Sequence, residues 1–157
     1  MIFQHVELEH QNQVDSAASS VETIRGYCGY LLIGLSKFFA LEHNRVKYGV
    51  IYNVDEANLT SSITTPYGKA RGRLAIQLVD GVVGGRYVFE KIIVSSEGED
   101  IWTPIWAIRI LRNGNVLLGD AGEVEVEVAN TGPFSNSISA PAKSLLYRIA
   151  STPIFPT

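Results

Sequence analysis

The side chains most able to do chemistry are few in this chain, and their spacing limits what they can do. Histidine occurs three times, at His5, His10 and His43. A zinc site needs several ligands brought together, usually from paired Cys or His a few residues apart on one helix or hairpin. No two of these histidines have that spacing on one expected helix or hairpin, and the single cysteine, Cys28, adds no pair. No metal and no cofactor is expected.

Cys28 would need a neighbouring base and a lowered pKa to act as a nucleophile. It lies instead within RGYCGYLLIGLSKFF at 25–39, an apolar and nearly uncharged run. There it reads as a small buried hydrophobe. The chain has no Gly-x-Ser-x-Gly elbow, P-loop or dinucleotide fingerprint. DGVVGGR at 80–86 is glycine-rich. It joins two strands, with no following helix to hold phosphate, so it predicts a hairpin with a bulge at Gly84–Gly85. No catalytic residue is expected.

Two rows of charge remain. Glu123, Glu125 and Glu127 alternate with valines. Carboxylates two apart on a strand stand roughly 7 Å from each other, too far to share one cation. Lys69, Arg71 and Arg73 form the opposite row, beside Tyr67. A net charge of −3 gives no electrostatic reason for nucleic-acid binding. Each row reads as a solvated face or as a contact with an oppositely charged partner, including the other row of a second copy. Such rows also protect sheet edges. Trp102 and Trp106 are expected on one strand face with Ile108 and Ile110. With Tyr48 and Tyr52 they are the residues expected to line a pocket, if one exists, on the order of several hundred Å3.

These residues must be positioned by a chain of 157 residues, 46% hydrophobic and 18% charged. That composition suits a single domain, 1–157, which needs no disulfide to hold together. Met1–Glu9 alternates apolar Ile2, Val6 and Leu8 with His5, Glu7 and Glu9, which predicts a half-buried strand. A helical period follows over about 16–43. Val14, Ala17, Val21, Ile24, Leu31, Leu32, Leu35 and Phe39 fall near Cys28 on a wheel of 100° per residue. Gly26, Gly29 and Ile33 lie off that stripe. The second half of the helix is thus apolar nearly all round, as in a helix covered on two sides. Gly26, Gly29 and Ile33 are accordingly expected at an interface. The rival reading ends the helix at Arg25 and continues as a buried strand.

From Val46 onward the chain reads as β. Val46, Tyr48, Val50, Tyr52 and Val54 alternate, and later strands are expected near 59–64, 69–78, 86–95 and 101–112. Asp80-Gly81 signals a two-residue hairpin, and Asn113-Gly114 a type I′ turn pairing Leu111 with Val116. EVEVEVA supplies another strand. Residues 130–143 read as a loop, SLLYRIAS as a last strand, and TPIFPT as an extended tail. The fold class is mainly β (α+β): an antiparallel meander forming a barrel or sandwich, with one N-terminal helix packed against it.

Strand, two-sided helix, then meander resembles the hot-dog fold, whose sheet wraps a central helix. That resemblance implies chemistry on acyl thioesters, with Glu22 as the only candidate for the carboxylate such enzymes carry near the helix start. The same order is similar to small β-rich shell, tail or filament subunits of phages. The N-terminus has no basic region before an apolar core, so no secretory signal is expected. The longest apolar run, Gly26–Leu35, is shorter than the ~18–20 residues of a membrane span. The chain is expected in the cytoplasm or in an assembled particle. The leading expectation is a non-enzymatic structural or binding protein that self-associates, partnered by copies of itself or another assembly protein. The alternatives are a hot-dog-like or lipocalin-like barrel for an apolar ligand, and a membrane-active toxin releasing segment 26–41.

Overall fold

The apolar stripe around Cys28 becomes one long helix, α1 (Leu8–Ala40), in the computed structural model, which describes residues 1–120, 125–127 and 136–155. Ile24, Cys28, Leu31, Leu32, Leu35, Phe38 and Phe39 are its buried face. Their three- and four-residue spacing is what a helix half sunk in a core requires. No strand follows Arg25. The helix starts earlier than the period suggests and breaks at Leu41, whose ψ of 133° leaves the helical region. A short α2 (Glu42–Tyr48) follows. Gly49 ends it at φ 65°, the left-handed cap that glycine adopts without strain.

Two expected strands therefore change. Residues 46–48 are helical, and β1 begins only at Ile51 (Ile51–Asp55). Met1–Glu7 forms no strand, and Leu8–Glu9 belong to α1; all nine residues are exposed. Alternation makes a strand only where a neighbour offers an edge, and among the described residues Met1–Glu7 pairs with none.

The sheet is an antiparallel meander: β2 (Thr60–Thr65), β3 (Gly68–Val79), β4 (Val82–Val94), β5 (Asp100–Ile110), β6 (Asn115–Leu118) and β7 (Glu125–Glu127) follow β1 in spatial order. It curls into a half-barrel with α1 against its inner face. Asp80 and Gly81 both have positive φ and join Val79 to its partner Val82, the expected two-residue turn.

The second turn differs. Gly114 N–H donates to Leu111, and Leu111 N–H to Asn115. Asn113 keeps negative φ while Gly114 sits at φ 90°, so Ile110 rather than Leu111 pairs with Val116. The Tyr27 ring explains the glycine: a β-carbon on Gly114 would lie 2.3 Å from it.

The bulge also moves. Gly84 and Gly85 hold regular register. Gly85 instead admits α1, since a β-carbon there would meet Ile24 Cγ2 at 2.7 Å. The extra residue is Ile105: Phe89 pairs with Trp106 and Glu90 with Pro104. One extra residue reverses the alternation. Trp102 thus shares the outer face with Glu90 and Ile92, and Trp106 shares the inner face with Phe89 and Ile108.

The largest departure is α3 (Asn136–Ser151), where a loop and a strand were expected. Ile138, Ala142, Leu145 and Ile149 are buried at helical spacing and join the core. Pro141 forfeits one intrahelical bond near the N-terminal end, and the buried stripe outweighs it. α3 packs on α1 as well as on the sheet, so part of the second cover of α1 comes from its own chain. The segment after it runs back along the sheet, where Val94 N–H donates to Ile154 O at 2.8 Å.

Candidate interaction surfaces

The buried polar groups serve the fold. Tyr52 Oη meets Ser61 Oγ at 2.9 Å, and Ser61 Oγ meets Tyr87 Oη at 2.7 Å, all buried. Phe39 stacks on Tyr52, and Tyr48 meets Phe39 edge-on. On the far side Tyr87 packs edge-on against Phe89, which stacks on Trp106. Of the four expected pocket residues, Tyr48, Tyr52 and Trp106 thus belong to one chain of core contacts. Trp102 lies across the sheet from them, under the Arg71 guanidinium at 4.2 Å.

Lys91 was not singled out from the sequence. It is 1% exposed, and its ammonium donates to the carbonyls of Ile149 and Thr152 at the C-terminal end of α3. Helix C-termini carry free carbonyls and partial negative charge, so a cation suits them. Burial lowers the pKa of this amine. Its place was readable: in RYVFEKIIV, residue 91 shares parity with inward Tyr87 and Phe89.

The basic row is partly neutralised within the sheet. Arg71 Nε lies 3.1 Å, and Arg73 Nε 3.6 Å, from Glu90 Oε1, whose side chain is buried. Lys69 is exposed. Glu125 and Glu127 pair with Leu117 and Asn115 through the backbone, and Glu123 lies outside the described residues. The two rows stand four strand spacings apart, roughly 19 Å along the sheet, so the chain does not bring them together.

Gly26 is exposed, and a β-carbon there would meet nothing within 4 Å. It floors a shallow hollow of about 410 Å3 between Tyr27 and Tyr30, with Glu22 and Thr23 at the side. Gly29 and Ile33 are half-buried, Gly29 against Leu59 of the same chain. Glu22 lies in the middle of α1 rather than at a helix start, so it does not occupy the position the hot-dog resemblance requires.

Two further surfaces were not anticipated. One is a hollow of about 500 Å3 with Val88, Ile105 and Trp106 as apolar wall and Arg86, Asp120 and Arg148 as charged groups. Arg86 pairs with Asp120 and holds that carboxyl below its usual range. The other is a more apolar groove of about 430 Å3 between α1 and the β3–β4 hairpin. Val14, Ala17 and Val21 form one wall, and Ile76, Leu78 and Val83 the other. Around it the chain exposes Val79 and Val82 at the hairpin tip, and Ile2, Phe3, Val6 and Leu8 before and at the start of α1. The signal in the sequence was the stripe of Val14, Ala17 and Val21 and the valines on both sides of Asp80-Gly81. Only the fold places them side by side.

Among the described residues no three His, Cys, Asp or Glu side chains converge on a metal position. No helix there is long and apolar enough to cross a membrane. Most of segment 26–41 is core or half-buried. Comparison with protein-family models, with curated proteins and with solved structures found no match.

Proposed function

We propose that this chain is a non-enzymatic structural or binding protein that associates with copies of itself. One observation carries the reading. Large apolar side chains that the fold leaves exposed are concentrated at one end of the molecule, where Phe3 is 88% and Val14 60% exposed. Contiguous exposed apolar surface of this kind marks contact sites in soluble proteins. The histidines are dispersed and exposed, and the buried tyrosines and Lys91 already have structural partners. Hydrogen exchange tests the proposal. Amides of residues 8–21 and of the β3–β4 tip slow as protein concentration rises from low to high micromolar, while the solvent side of β1 does not change. Exchange independent of concentration at both places contradicts it.

The ligand-binding alternative has one observation in its favour, the hollow beside Trp106. Its apolar wall and the Arg148 guanidinium, beside the Arg86–Asp120 pair, suit an anion with an apolar body. An apolar carboxylate retained in native mass spectrometry is its signature, and a clean apo mass removes it.

A further inference from the structure

Helix α1 runs from the hairpin tip toward β1. A β-carbon on Gly81 would lie 3.2 Å from the side-chain amide of Gln13, so helix position 13 stands level with the tip. Farther along, Ile24 meets Gly85, and Ser36 Oγ donates to Tyr52 O. Residues 8–12 therefore overhang the sheet by roughly 7 Å. Residues 1–7 add an arm of up to about 23 Å when extended. Gln11 Nε2 donates to Val6 O at 2.8 Å, and Glu7 is extended at φ −68°, ψ 155°. The base of the arm is thus tied to the first turn of α1, and its exposed apolar side chains lie outside the chain's own groove.

The arm carries apolar side chains that its own chain leaves uncovered: Ile2 and Phe3 are 91% and 88% exposed, and Val6 is exposed as well. The groove between α1 and the hairpin is apolar and equally uncovered. Residues 1–6 contain no acidic side chain, so inserting them places no like charge against Asp15, Glu22 and Asp80, the acids nearest the groove in sequence.

Resting on the self-association reading, we infer that the arm of one copy lies in the groove of a second copy, and that the exchange is mutual. Arm and groove are at the same end of the molecule. Two copies meeting through a twofold axis therefore each fill the other's groove and leave none free. Such an isologous contact closes as a pair; an arm and a groove at opposite ends would have propagated a filament. A single arm is small against the roughly 1,200–2,000 Å2 that stable interfaces bury. The mutual exchange doubles its contribution and adds the overhanging helix ends and the valines of the two hairpin tips.

Two single-cysteine additions test this. Gln4 and Ala18 are both exposed, Ala18 lines the groove, and the native Cys28 is buried. Gln4→Cys and Ala18→Cys proteins are mixed in equal amounts and mildly oxidised. The exchange predicts a disulfide joining the two different chains at twice the chain mass. In the full chain, Phe3→Ser weakens association at least about tenfold, as loss of one large buried apolar side chain implies. An oligomer that forms no such link and is unaffected by Phe3→Ser overturns the arm exchange while leaving self-association standing. A link that forms only within one chain of the Gln4→Cys/Ala18→Cys double variant overturns it too. A single-chain mass at every concentration overturns both.

Discussion

Three buried groups hold their protons more tightly in the folded chain than in the unfolded one. Burial moves Cys28 from its ordinary 9.0 up to about 12, slightly offset by Arg25. Burial also raises Tyr87 and Tyr52 above their ordinary 10.0, with the hydroxyl of Ser61 pulling each back a little. For an acid whose folded pKa is raised, the unfolded chain loses its proton first. Stability is then complete below the unfolded value and falls as pH rises above it. Lys91 acts in the opposite sense below its ordinary 10.5, because burial lowers its folded pKa. Three groups against one give a net alkaline loss. Urea unfolding should show stability declining from about pH 9, by up to roughly 1.4 kcal/mol per pH unit for each titrating group. Cys28→Ala should delay the onset toward the tyrosine range near 10.0. Constant stability to about pH 11, or an onset unmoved by Cys28→Ala, contradicts this account of the core.

At the scale of elements, α3 is held by one buried stripe and one buried cation. Lys91→Met removes the donor from the Ile149 and Thr152 carbonyls. The expected loss is about 1–3 kcal/mol, that of buried acceptors left without a partner. Amides of α3 should then exchange before those of β3 and β4. An unchanged midpoint would mean that water or backbone satisfies those carbonyls equally well. Why α3 escaped the sequence reading is physical. Pro141 and the serines around it mimic a loop, while the stripe from Ile138 to Ile149 was divided between that loop and a strand. Helix α1 was legible because its stripe is long and crosses no proline. The meander was legible because Asp80-Gly81 and its flanking alternation agree. A bulge leaves no such mark. Ile105 looks like any apolar strand residue, yet it sends Trp102 and Trp106 to opposite faces. The Gly84–Gly85 pair suggests a bulge in the sequence because a glycine needed for close helix approach resembles one needed for a bend.

For the whole molecule, the sequence led to Gly26, Gly29 and Ile33 as the contact surface, because α1 is apolar on more than one side. In the fold, Gly29 lies against Leu59 of the same chain, and Gly26 alone of the three is fully open. The larger uncovered surface joins residues 1–21 to residues 76–83. It was not legible because it depends on a contact between segments some sixty residues apart. The charge rows were legible as rows, while their pairing was not: Glu90, between Arg71 and Arg73, came from a neighbouring strand. The central claim is that this end is sealed by a second copy of the chain. Light-scattering mass of the purified chain across the micromolar range tests it most directly. The account predicts a rise with concentration to a plateau at twice the 17.2 kDa chain mass. A mass fixed at that of one chain throughout contradicts it.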